Sequence, residues 1–226
     1  GQAGGAGTSG FIIVEEFYAT APTEQVFTAS GTWTKPTGCR SVRVRLLGAG
    51  GGGGGAVATT SCCGDVPGSG GIGGYAGYSE KWVDVTGISS VTVTIGPGGT
   101  AGTSGPGNGG TGGTTSFGVH AQATGGVGGA LGNATEGPNG AGGTASLGTL
   151  NVDGNKAGSI TNSPIAAGSP GTYAMGYTGV VTASGTAGAA GVLLGAPGMG
   201  GFSNTPALGR AGAAGTSGVI IVEEFY

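Results

Sequence analysis

Hydrophobic and polar positions alternate strictly over residues 41–47, where Val42, Val44 and Leu46 share one face and Arg43 and Arg45 the other. A period of two puts successive side chains on opposite faces of a strand, so this segment predicts a strand with one buried and one wet face. The same period returns in 78–85, with Val83 and Val85 opposite Glu80, Trp82 and Asp84, and in 91–95, with Val91, Val93 and Ile95 alternating with Thr92 and Thr94. A short turn around Gly87 joins these two strands, and Gly96-Pro97-Gly98 stops the second. Residues 25–35, rich in β-branched and aromatic types and halted by Pro36, predict an opening strand or a bent strand pair broken at Gly31. Further strands are expected over 115–124 and 172–183, and 218–225 predicts a closing strand whose Ile and Val run suits burial on both sides. No sustained helical period is present, so almost no α-helix is expected.

Glycine-rich tracts separate these strands, at 48–56, 68–77, 96–113, 125–143, 185–201 and 209–218. Glycine supplies 60 of 226 residues and charged residues only 8%, far from the roughly 7% glycine and ~25% charge of ordinary proteins. Collagen is excluded because no Gly-X-Y period runs through the tracts. As loops, the tracts 96–113, 125–143 and 185–201 would exceed the roughly 12–15 residues that compact domains tolerate without internal order. An ordered alternative is the extended three-residue helix, rising about 3.1 Å per residue with its backbone donors and acceptors pointing outward. Without side chains such helices can approach closely and bond to one another, with Ala, Ser, Thr and Asn on the outer faces.

The chain also repeats itself. Residues 1–18 return as 209–226 with 15 of 18 positions identical, an offset of 208 residues. Residues 1–18 therefore read as the closing strand of a preceding repeat, or as a donor strand, with 19–24 a linker and 25–226 the module itself. Ile12, Ile13, Val14 and their counterparts Ile220, Ile221 and Val222 are the expected assembly strand, and the expected partners are copies of the same chain.

Charge and chemistry narrow the function further. A net charge of −3 with seven scattered basic residues gives no footprint for nucleic acid, and no window approaches 18 uninterrupted apolar residues, so neither nucleic acid nor membrane insertion is expected. Residues 107–112 satisfy G-x-G-x-x-G, but no helix follows to meet a pyrophosphate, and no cofactor is expected. His120 is the only histidine, and Cys39, Cys62 and Cys63 lack metal-ligand spacing, so neither metal nor catalytic residues are expected. The cysteines are candidates for a disulfide instead: a bridge from Cys39 to Cys62 or Cys63 would close a loop worth roughly 3 kcal/mol in the chain-entropy model. Tyr75, Tyr173, Tyr177 and Phe202, in or beside glycine tracts, are candidates for surface contact with glycan or protein.

Residues 27–36 (FTASGTWTKP), 42–50 (VRVRLLGAG) with its glycine run, 77–81 (GYSEK), 91–96 (VTVTIG), 114–118 (TTSFG) and 218–223 (GVIIVE) resemble, in order and spacing, the glycine-rich module of bacteriophage tail-fibre and tail-tip proteins. The resemblance spans residues 25–226. It implies an all-β, jelly-roll-like β-sandwich whose glycine tracts pack as polyglycine II-type helices. It also implies an extracellular, non-enzymatic role: a structural and adhesive module on a virion, presenting loops to a bacterial cell-surface glycan or protein. The duplicated strand suggests the alternative of a repeating subunit in an extracellular bacterial filament or surface array. Cys39, Cys62 and Cys63 and the copy at 1–18 depart from the family pattern.

Overall fold

A computed structural model of the chain describes residues 21–57, 68–105, 107–133, 136–157, 188, 190–191, 194–203 and 209–226. The described residues contain strands and no helix: β1 (Thr23–Phe27), β2 (Gly31–Thr34), β3 (Ser41–Leu47), β4 (Gly68–Ser69), β5 (Tyr78–Asp84), β6 (Ser90–Thr94), β7 (Thr115–Phe117), β8 (Ala121–Ala123), β9 (Ala145–Ser146), β10 (Leu150–Val152), β11 (Phe202–Ser203) and β12 (Val219–Phe225). They form three antiparallel sheets in the orders β1-β12-β3-β5-β10, β2-β6-β7-β8-β9 and β11-β4.

The two five-stranded sheets face each other as a sandwich. Alternation decides what they bury. Val42, Val44 and Leu46 of β3, Ile220 and Val222 of β12 and Val83 of β5 meet Trp33, Val91, Val93, Phe117, Ala121 and Ala123 of the other sheet in one core. Trp33 and Phe117 pack edge-on with centroids 5.8 Å apart, a geometry worth roughly 0.5–1.5 kcal/mol beyond burial. Arg43 and Arg45 lie on the opposite face of β3, as the alternation predicts.

Three expectations are refined. Residues 25–35 are a bent pair whose halves, β1 and β2, belong to different sheets. The single strand expected over 115–124 is a hairpin, β7–β8, because Gly118 adopts φ +50° and turns the chain. β12 is not buried on both faces: it lies between β1 and β3, with Ile220 and Val222 in the core and Ile221 only half-buried. The pair expected at 172–183 lies outside the described residues.

The glycine tracts continue the strands and are ordered by hydrogen bonds. β3 runs into 48–57, 68–77 runs into β5, β6 into 96–103, 107–113 towards β7, β8 into 124–132, 137–144 into β9, and 209–217 towards β12. The expected tracts 96–113 and 125–143 are thus each two antiparallel segments.

Candidate functional site

The tract 48–57 sits at the centre of the glycine-rich region, and its hydrogen bonds repeat every three residues. Gly48, Gly51 and Gly54 donate to Gly77, Gly74 and Gly71; Ala49, Gly52 and Gly55 donate to Gly113, Gly110 and Gly107; Gly50, Gly53 and Ala56 donate to Thr216, Ala213 and Arg210. These three acceptor tracts run antiparallel to the centre. Three others run parallel and donate back: Gly126, Gly129 and Gly132 to Ala49, Gly52 and Gly55; Gly99 and Gly102 to Gly50 and Gly53; Gly198 and Gly201 to Gly51 and Gly54.

The six neighbours also bond to one another around the ring. Gly74 donates to Val127, Gly112 to Gly126, Gly110 to Thr100, Gly215 to Gly99, Ala213 to Met199 and Gly73 to Gly198. Parallel and antiparallel tracts therefore alternate around a fully bonded centre. The segment 137–144 forms an eighth tract outside the ring, bonded to both 69–75 and 124–130. Buried backbone polar groups cost free energy unless paired, and this arrangement pairs them without side chains.

Close approach explains the glycine. A Cβ on Gly52 would overlap the Thr100 carbonyl, one on Gly53 the Met199 carbonyl and one on Gly54 the Ala130 carbonyl. In each case the obstructing atoms are backbone, which cannot swing aside. Side chains are confined to outward positions: Thr100, Ala101, Thr103, Asn108, Thr111, Pro138, Ala141 and Thr144 are exposed. Where two tracts leave room between them, larger groups fill it, and Ile72, Tyr75, Ala157 and Met199 make a second apolar cluster.

The far end of the tracts carries the smallest sheet, where Phe202 pairs with Ser69 and Ser203 with Gly68, next to the Ser69–Glu136 and Ala56–Arg210 bridges. Phe202 is half-buried there. Tyr75 does not fit the surface role expected of it: it is 7% exposed. It stands three residues from Ile72 in a tract of period three, so both side chains share one inward face. That spacing was visible in the sequence. Tyr173, Tyr177, Cys62, Cys63, Ile12, Ile13 and Val14 lie outside the described residues.

Cys39 is a buried, free thiol whose Sγ donates to the Ser41 carbonyl at 3.5 Å. Burial pushes its pKa up from the ordinary thiol value. His120, in the β7–β8 turn, packs tilted against Phe117 with centroids 6.2 Å apart, and loss of solvent lowers its pKa. Among the described residues no three His, Cys, Asp or Glu groups gather as metal ligands would.

Two carboxylate constellations were not anticipated. Glu224 is 2% exposed in the core face of β12, and it accepts hydrogen bonds from Gln25 Nε2 at 2.6 Å, Trp33 Nε1 at 2.9 Å and Thr23 Oγ1. It ties β1 and β2 of the two sheets to the closing strand. The signal was its spacing, since Glu224 follows Ile220 and Val222 at steps of two. On the other face, Glu80 accepts from Arg43 Nε at 2.9 Å and Tyr78 Oη at 2.8 Å, while Arg45 reaches Glu223 at 2.6 Å and Glu24 at 3.5 Å. The Arg43 guanidinium holds the Glu80 carboxyl below its ordinary range, and burial together with Glu80 pushes Tyr78 up to about 12.

A family model described as a glycine-rich domain matches residues 23–224, and the chain belongs to that family. Comparison with curated proteins finds no match.

Proposed function

We propose that this protein is a structural and adhesive module of a phage tail fibre or similar virion appendage, working without catalysis outside the cell. In this reading the glycine tracts are polyglycine II-type helices carried on a jelly-roll-like sandwich, which acts as their base. The observation that supports it best is the central tract 48–57, bonded at each of its ten amides to surrounding tracts that continue the sandwich strands. A bundle braced in three directions resists bending. Nine residues at about 3.1 Å each would hold the far turns roughly 28 Å beyond the sandwich.

Those turns are what such a spacer presents. They include Thr103–Gly105, Asn133 and Glu136, together with the β4–β11 pair and its Phe202, at the end of the tracts away from the sandwich. The recognised partner in this reading is a bacterial cell-surface glycan or protein. Fluorescently labelled protein should bind whole bacteria of a susceptible strain. Replacing Phe202 and Glu136 with Ala should abolish that binding while the melting temperature stays near the parent's. Binding that survives these changes but is lost on altering the sandwich face at Trp82 would refute distal attachment.

The near-exact copy of residues 209–226 at 1–18 favours a second reading, a repeating subunit of an extracellular bacterial filament or surface array. Electron microscopy of native material separates the two. A virion-borne fibre supports the first reading, and a continuous filament free of virions supports the second.

A further inference from the structure

The structure shows what residues 209–226 must satisfy, and the copy at 1–18 can be judged against those demands. The segment 209–226 fills one continuous slot. Its glycine half is a ring tract against the centre, and its strand half, β12, lies between β1 and β3. Gly212, Gly215 and Gly218 are obligatory there, because a Cβ on them would overlap the carbonyls of Gly53 and Gly50 and the Thr115 hydroxyl. Thr216 Oγ1 accepts from the Ala196 amide at 2.7 Å. Ile220 and Val222 enter the core, Glu223 pairs with Arg45, Glu224 gathers Thr23, Gln25 and Trp33, and Phe225 packs on Trp82 with centroids 4.7 Å apart.

Every one of these residues has an identical counterpart: Gly4, Gly7, Gly10, Thr8, Ile12, Val14, Glu15, Glu16 and Phe17. The three differences fall where the slot asks least or can yield. Arg210, replaced by Gln2, is held through its backbone to Ala56. Ala213, replaced by Gly5, is a change to a smaller residue. Val219, replaced by Phe11, is 4% exposed, so the larger ring must displace neighbours, which gives 209–226 the better fit.

Connectivity permits the exchange. Thr23 opposes Glu224 in the β1–β12 register, and in the copy Glu16 would take that place, leaving residues 17–22 to turn the chain into β1. That is an antiparallel hairpin with a loop only slightly longer than the commonest ones.

We infer that residues 1–18 are a second occupant for the slot of 209–226, so that either copy can complete the same lattice and sheet. The inference rests on the duplicated sequence and the slot's contacts, and does not depend on the attachment reading. It gives copies of this chain a means of linking: when 209–226 of one molecule enters a neighbour's slot, its own slot is filled by its own residues 1–18 and no core is left open.

The test uses the full-length chain with one copy disabled at a time. Gly212→Leu, Gly215→Leu and Ile220→Asp together disable 209–226; Gly4→Leu, Gly7→Leu and Ile12→Asp together disable 1–18; a third protein carries all six changes. Thermal unfolding is followed by tryptophan fluorescence, with slot occupancy read from hydrogen-exchange protection of β1 and β3. The inference expects a cooperative transition in both three-change proteins, lower when 209–226 is disabled, and none in the six-change protein. If disabling 209–226 alone removes the transition as completely as all six changes do, or if it leaves β3 unprotected, the inference is overturned.

Discussion

Gly52→Ala puts one methyl group into the centre of the lattice, and its cost can be worked out from the contacts. The Cβ would overlap the Thr100 carbonyl carbon and oxygen, so relief requires moving the 96–103 tract as a whole. That tract is held to the centre by Gly99 donating to Gly50 at 2.9 Å and Gly102 to Gly53 at 2.8 Å. Overpacking of this kind costs about 1–3 kcal/mol, and two displaced buried hydrogen bonds add about 1 kcal/mol each. The lost glycine freedom in the unfolded chain returns roughly 0.4–1 kcal/mol. The net expectation is a loss of about 2–4 kcal/mol, or roughly 10 °C in melting temperature for a chain of this size. Gly31→Ala and Gly87→Ala are the controls, since a Cβ there meets nothing within 4 Å. They should stay within about 1 kcal/mol of the parent, on either side. Guanidinium unfolding monitored by tryptophan fluorescence measures all three. The close-packing argument fails if Gly52→Ala is no less stable than Gly31→Ala.

Other outcomes follow from the carboxylates and the buried thiol. Glu224→Leu leaves the fully buried Trp33 Nε1 without its acceptor and should cost about 1–3 kcal/mol in the same unfolding experiment; a neutral result would deny the carboxylate its anchoring role. Glu80 has a folded pKa below its unfolded value of 4.5, so its contribution is complete above that value and lost as pH falls through the folded one. Glu80→Gln should therefore flatten the acid limb of stability against pH. Tyr78 is raised from 10 to about 12, and because the folded state holds that proton more tightly, its contribution is present below pH 10 and lost as pH rises towards 12. Ultraviolet titration should show a late tyrosinate signal that is lost in Tyr78→Phe. Cys39 should react with a thiol reagent only as the protein unfolds, measured in a Cys62→Ser/Cys63→Ser background; rapid native reaction would contradict its burial.

The strands with strict alternation were readable from sequence almost to the residue: β3 spans Ser41–Leu47 and β5 Tyr78–Asp84, because a half-buried face imposes a period of two. The short strands β4, β9, β10 and β11 were not readable. Two or three residues such as Ala145–Ser146 carry no period, and their pairing is set by what the tracts bring alongside. The tracts themselves were legible as ordered rather than loose, but not their partners, since glycine has no side chain to mark a face. Tyr75 was misplaced because no face was assigned within its glycine tract, although Ile72, three residues earlier, marks the inward face of a segment whose period is three. Glu224 was missed because the closing strand was read as an apolar run with no face assigned to the charges after it, although the spacing from Ile220 and Val222 puts Glu224 on the core face.

Amide hydrogen exchange resolved to single residues is the most direct test of the lattice. Residues 48–57 should exchange as slowly as β3, because each of these amides donates to a neighbouring tract. In the ring tract, Gly99 and Gly102, which donate inward, should be slow, while the exposed Thr100 and Ala101 should be fast. A three-residue rhythm of protection is what a bonded lattice predicts. Uniformly fast exchange across 48–57 and 98–102, at the rates of an unstructured chain, would contradict it.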